Sequence, residues 1–148
     1  MARNVIDILK QEHEEVLSML EKLSSKGVSD RSSMYSSMKS ALLPHMEGEE
    51  KAVYPGFEQA GMHDKVLESI EEHNAVKSLI SQLDNASMSN EDVWVAKIKV
   101  IRENVQHHVK EEEEEIFPKA RQSMSSSDLE EMGNKFEEAK GKVPMAAR

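Results

Sequence analysis

The chain has no cysteine among its 148 residues. Structural disulfides, thiolate zinc sites, iron–sulfur clusters and a cysteine nucleophile are therefore excluded. Proline and glycine are scarce, 4 and 6, and aromatics make up 4%. With leucine, glutamate, lysine and methionine plentiful, that scarcity favours helix over strand. No apolar run approaches the roughly 18–20 residues of a membrane span. The opening Met-Ala-Arg-Asn-Val-Ile-Asp lacks a secretory signal pattern, so the expected location is cytoplasmic. Positive charge is also short: 19 Lys and Arg against 28 Asp and Glu give a net charge of −9. So acidic a surface repels phosphate backbones and anionic lipid, and neither nucleic acid nor membrane is expected as a partner.

Helix punctuation divides what remains. Asn4 caps a first helix to about Ser24, ended by Lys26-Gly27. A second runs from about Asp30 to Val53, where Tyr54-Pro55-Gly56 stops it, with a kink expected at Pro44. The third spans about His63 to Asn85. The fourth spans about Asn90 to Arg121, with Pro118 bending it or ending it early. Ser123 to Ser127 reads as a flexible connector, and Ser127-x-x-Glu130 as the capping box of a fifth helix to Lys140. On that helix Leu129, Met132, Phe136 and Ala139 form a docking stripe. The expected fold is all-α: an antiparallel up-down-up-down four-helix bundle over residues 1–122, with a connector and C-terminal helix over 123–148. No long-range repeat is expected.

The informative pattern is the inward stripe of each long helix at alternating three and four spacing. The stripes are Ile6, Leu9, His13, Val16, Leu20, Leu23; then Met38, Leu42, His45, Glu49, Ala52; then Val66, Ile70, His73, Val76, Ile80, Leu83; and Trp94, Ile98, Ile101, Val105, His108, Glu112, Ile116. Each long helix thus sends one histidine into an apolar core, and two add a glutamate one turn later. A carboxylate in a dry core costs several kcal/mol unless it is paired or metal-bound. Two cations, each able to share both carboxylates, resolve that cost. Four imidazoles and two carboxylates without sulfur suit iron, manganese, zinc or cobalt. His107 points about 100° away from His108 and faces solvent or supports the site from behind. Glu111, Glu113, Glu114 and Glu115 read as a solvated face, with Glu113 the substitute for Glu112 if the helix shifts by one. His63 reads as a surface residue.

Four stretches in this order resemble the hemerythrin-like HHE cation-binding domain. They are Asp7-Ile-Leu-Lys-Gln-Glu-His13, His45-x-x-x-Glu49 leading to Val53-Tyr54-Pro55, Glu71-Glu72-His73, and His108-x-x-x-Glu112 leading to Ile116-Phe117-Pro118. The resemblance implies a non-haem centre of two iron ions with an oxo or hydroxo bridge, able to take dioxygen, nitric oxide or peroxide. It implies His13 and His45 on one iron, His73 and His108 on the other, and Glu49 and Glu112 bridging. Oxygen-carrying members have a further histidine where this chain has Lys77. Some iron-sensing relatives have a carboxylate where it has Met46. Both departures leave open metal positions. Tyr54 is the substitute ligand to consider, against a simpler role as the aromatic that closes the bundle end. Lys77 would snorkel outward or pair with a carboxylate, and Gly48 would let a neighbouring helix approach closely.

The expected function is binding or sensing of O2, NO or reactive oxygen species at the di-iron site. The alternatives are an oxidant-defence enzyme turning over peroxide or reducing NO there, and an iron store or metal-stabilised interaction module.

Overall fold

The computed structural model describes residues 3–86 and 89–141; the end of the expected C-terminal segment lies outside them. Helix α1, Val5–Leu23, begins where the Asn4 side chain accepts a hydrogen bond from the Ile6 amide at 2.8 Å. Helix α2 covers Arg31–Gly48. Gly27 and Gly61 take the left-handed conformations, φ +75 and +91, that close the turns after α1 and before the helix that starts at His63. Helix α4 is His63–Asp84 and α5 is Glu91–Glu111, the latter capped by the Asn90 side chain on the Val93 amide.

Tyr54-Pro55-Gly56 does not stop the second helix. Helix α2 continues through Pro44, opens into a π-helical turn at Glu49–Val53, and resumes as α3, Tyr54–Gln59. The physical reason lies in Pro55, which has no amide hydrogen and whose ring would crowd the carbonyl four residues back. In the wider turn the Tyr54 amide reaches the Glu49 carbonyl instead, so Pro55 enters at the tolerant start of a new α segment. The fourth helix repeats the device. A π turn at Glu112–Ile116 follows α5, the Phe117 amide bonds the Glu112 carbonyl, and α6, Phe117–Ser123, carries the chain past Pro118.

The connector is shorter than expected. Only Met124 and Ser125 separate α6 from α7, Ser126–Gly141. Its capping box is Ser125-x-x-Asp128 rather than Ser127-x-x-Glu130: Ser125 Oγ accepts from the Asp128 amide at 3.1 Å, and Asp128 Oδ2 from the Ser125 amide at 3.2 Å.

The rods α1, α2–α3, α4 and α5–α6 form an up-down-up-down four-helix bundle, with α7 packed on α1, α2 and the first π turn. Two apolar clusters fill it. One gathers Leu20, Met38, Ile80, Trp94 and Ile98; the other gathers Ile6, Leu9, Phe57, Phe117 and Phe136. Each fully buried Leu, Ile or Phe contributes about 1.5–3 kcal/mol, which helices of this length need because alone they are marginal. The stripes hold except where Ser69 replaces Ile70 and Val53 replaces Ala52 as the buried residue. Gly48 permits a close approach by α7: a Cβ there would lie 2.7 Å from Phe136 Cε1. Among the described residues no helix is long and apolar enough to cross a membrane.

Candidate metal centre

Between the two apolar clusters lies a polar belt of buried side chains: His13, His45, Glu49, His73, His108 and Glu112. They come from α1, α2, the first π turn, α4, α5 and the second π turn. Both glutamates open a π turn, where the helix is widest and a side chain is re-aimed inward.

Their ligand atoms converge in two sets. His13, His45, Glu49 and Glu112 bring one atom each within 4.8 Å of one another, and so do Glu49, His73 and His108. The nitrogens sit beside carboxylate oxygens: His13 Nε2 is 3.1 Å from Glu112 Oε1, and His45 Nε2 is 3.3 Å from Glu49 Oε1. His73 Nε2 is 3.2 Å from Glu49 Oε1, and His108 Nε2 is 3.4 Å from Glu112 Oε1. Oxygen and nitrogen ligands about 2.1 Å from a shared cation lie about 3.0–3.4 Å apart, depending on coordination geometry.

The outward nitrogens explain why these faces are available. His13 Nδ1 donates to Glu113 at 2.7 Å, His45 Nδ1 to Glu12 at 2.9 Å, His73 Nδ1 to Glu50 at 2.7 Å and His108 Nδ1 to Glu72 at 2.6 Å. An ionised carboxylate can only accept, so each bond keeps a proton on Nδ1 and turns Nε2 inward, where it takes either a cation or, without one, a second proton. His73 Nε2 and His108 Nε2 then face each other at 3.2 Å, two acceptors with nothing to share unless a cation or proton intervenes. His13 Nε2, His45 Nε2, Glu49 Oε2 and Glu112 Oε1 are buried and lack a hydrogen-bond partner. Uncompensated buried polar atoms on this scale would each cost about 1–3 kcal/mol. The donor set fits a pair of divalent or trivalent cations.

The charge balance agrees. Burial alone would raise the Glu49 carboxyl, but His45, His108 and His73 hold it well below the usual range. Burial and the Glu49 charge push Glu112 upward, and His108 and His13 bring it down overall. Burial pulls the His45 imidazole down, yet Glu49 and Glu12 lift it to about 10. Both carboxylates are thus ionised in the core, a negative focus that draws positive charge.

The two halves of the chain build this belt alike. Glu12-His13, His45, Glu49-Glu50 and Tyr54-Pro55 in the first half correspond to Glu72-His73, His108, Glu112-Glu113 and Phe117-Pro118 in the second. No repeat was expected from the sequence; it emerges once the four supporting glutamates are seen. Each is the chain neighbour of a residue in the belt, and that adjacency was the available signal. The aromatics break the symmetry. Phe117 stacks over His13 with ring centroids 6.1 Å apart, and Tyr54 stacks over His73 at 5.5 Å. The Tyr54 hydroxyl donates to Glu112 Oε2 at 2.9 Å and lies 3.3 Å from Glu49 Oε1, His73 Nε2 and His108 Nε2. Burial, with the charges of Glu112 and Glu49, pushes that hydroxyl well above its usual pKa.

The remaining residues fall around this centre. Lys77 Nζ pairs with Glu47 at 3.0 Å and Glu50 at 3.3 Å, drawn away from the belt. Met46 is buried and lines a cavity of about 20 Å³ together with Leu42, Val76, Val105, Val109 and the four histidines. His107 is 69% exposed and His63, paired with Glu58, is also exposed. The acidic run is not uniformly solvated. Glu111 is buried against Lys65 because its position faces α4, and Glu113 turns back to His13.

Residues 4–120 match the sequence pattern described as the hemerythrin HHE cation binding domain. A protein named DNA nickase from Nostoc sp. is 24% identical over 141 residues, which is 95% of this chain and 40% of that protein. An uncharacterised hemerythrin-like protein of Schizosaccharomyces pombe is 29% identical over 106 residues, 70% of this chain and 52% of the other. The chain therefore spans only about half the length of these curated relatives or less. A crystal structure of a hemerythrin HHE cation-binding-domain-containing protein from Mycobacterium kansasii shares the fold, with a TM-score of 0.79 at 22% identity. That likeness covers 94% of this chain and 88% of the other.

Proposed function

The chain belongs to the hemerythrin HHE cation-binding family, and we propose that its belt holds two iron ions, with an oxo or hydroxo bridge, and binds or senses O2, NO or reactive oxygen species. His13 and His45 would hold one ion, His73 and His108 the other, and Glu49 and Glu112 both. The observation that carries this reading is the set of four Nδ1-anchored imidazoles whose free Nε2 atoms converge on two ionised, buried carboxylates. Iron there would supply reversible one-electron chemistry and affinity for small oxidants. The chain's own contribution is to hold the ligands, to exclude bulk water, and to offer an apolar cavity with room for about one small molecule.

Tyr54 belongs to the proposed ligand set on the His73 and His108 side. Its oxygen sits where a fourth donor would, although its high pKa means that only a strongly acidic cation would displace the proton. Ferric protein should then show a phenolate charge-transfer band that Tyr54→Phe loses; an unchanged spectrum removes Tyr54 from the set. A second reading, turnover of peroxide or reduction of NO, is favoured by Lys77. Paired with Glu47 and Glu50, it supplies no ligand and leaves room for a substrate. Anaerobic ferrous protein exposed in turn to O2, NO and peroxide separates the two. Stoichiometric spectral change without continued consumption supports binding, and many turnovers per chain support the enzyme.

We propose a cytoplasmic protein with no nucleic-acid role. A net charge of −9 repels phosphate, and the nickase name belongs to a relative of which this chain covers 40%.

A further inference from the structure

A third cluster of ligand-bearing side chains lies outside the belt, on the α4–α5 face. Glu72, His107 and Glu111 bring one atom each within 4.8 Å of one another. His107 Nε2 is 3.4 Å from Glu111 Oε2 and 3.6 Å from Glu72 Oε2. Both distances exceed the 2.7–3.2 Å or so of an N–H···O bond. They match the separation of about 3.4 Å between ligands held roughly 2.1 Å from a tetrahedral cation. His107 and Glu111 stand one turn apart, the spacing that also pairs His45 with Glu49 and His108 with Glu112. Glu111 is only 8% exposed, and its Oε2 lies beside His107.

We propose that Glu72, His107 and Glu111 form an outer site for a first-row divalent cation, through which cations reach the buried belt. One imidazole and two carboxylates are a borderline-to-hard donor set suited to ferrous iron, manganese, cobalt or zinc. Glu72 joins the two sites physically: Oε1 accepts from His108 Nδ1 at 2.6 Å while Oε2 faces His107. The six belt residues are buried, whereas His107 is 69% exposed, so it is the nitrogen ligand an arriving cation meets first. Lys65 opposes the site. Its Nζ lies 3.2 Å from Glu111 Oε1 and 3.6 Å from Glu115 Oε1, so it fixes Glu111 and weakens cation affinity. A weak outer site next to a tight inner one is the order that passage inward requires.

The test is Co2+ binding to the metal-free full chain, counted by equilibrium dialysis and elemental analysis. His107→Ala and His107→Gln should each bind one ion fewer than the parent, or bind it at least about tenfold more weakly. Lys65→Met should tighten that ion roughly tenfold. Equal counts and affinities in parent and both His107 variants overturn the site. The comparison is a difference, so it stands even if the belt takes no Co2+; the count remaining in the His107 variants tests the belt separately. Stopped-flow uptake followed by Co2+ absorption should be several-fold slower in His107→Ala with the same final belt occupancy. An unchanged rate overturns the role in entry.

Discussion

Replacing Glu12 by Gln isolates the contribution of one supporting carboxylate. Glu12 Oε1 accepts from His45 Nδ1 at 2.9 Å and its Oε2 pairs with Lys140 of α7. Gln keeps the volume and one acceptor oxygen, so the His45 ring stays in place and on the same tautomer. The charge is lost. A charge-assisted hydrogen bond is roughly twice as strong as a neutral one, so His45 becomes a poorer donor to metal and Lys140 faces an amide. Carboxylates in this position typically contribute about 10–100-fold to metal affinity, or about 1.4–2.7 kcal/mol. Chelator competition for Co2+ bound to the belt reads that change directly. Glu14→Gln, on the exposed face of the same helix, is the control. Lys140→Met removes the cation paired with Glu12 and should therefore raise metal affinity slightly, the opposite direction. Equal affinities for Glu12→Gln and Glu14→Gln would refute the claim that these carboxylates tune the ligands.

Other consequences follow from packing and charge. Gly48→Ala forces a methyl to within 2.7 Å of the fully buried Phe136 ring, costing about 1–3 kcal/mol by overpacking. For a chain of this size that lowers Tm by roughly 2–4 °C per kcal/mol; a melt like the parent's would refute the close approach of α7. Titration should separate metal-free from loaded protein. With its folded pKa raised from 6.5 to about 10, His45 stabilises the metal-free protein fully below about pH 6.5 and loses that contribution as pH climbs to about 10. A cation displaces the proton instead, so metal affinity rises over the same window. Urea midpoints of the two forms should therefore diverge with increasing pH, and parallel curves would contradict the assignment of His45.

The bundle and its inward histidines are legible in the sequence because the three–four stripe stays apolar everywhere except at the belt. What escapes that rule has local causes. Pro55 and Pro118 read as helix stops because nothing in the stripe reveals that a π turn can carry the backbone past a missing donor. Glu12, Glu50, Glu72 and Glu113 escape because a stripe treats the chain neighbours of a ligand as off-face. Yet neighbours turned by 100° reach the Nδ1 side of a histidine on the adjoining helix. Ser69 and Ile70 both fit the spacing from Val66 to His73, and Ser69 is the one buried. The α7 capping box shifts by two residues because Ser123, Ser125, Ser126 and Ser127 offer several starts, and it is Ser125 and Asp128 that cap each other.

The most direct test is elemental metal content per chain, on protein purified without chelators from iron-supplemented cells, with the His108→Ala and His107→Ala variants alongside. Two tightly held irons per chain are predicted, lost in His108→Ala and kept in His107→Ala, because His108 Nε2 lies in the belt and His107 outside it. Zinc, a single metal or none, or equal iron loss in both variants, would contradict the account.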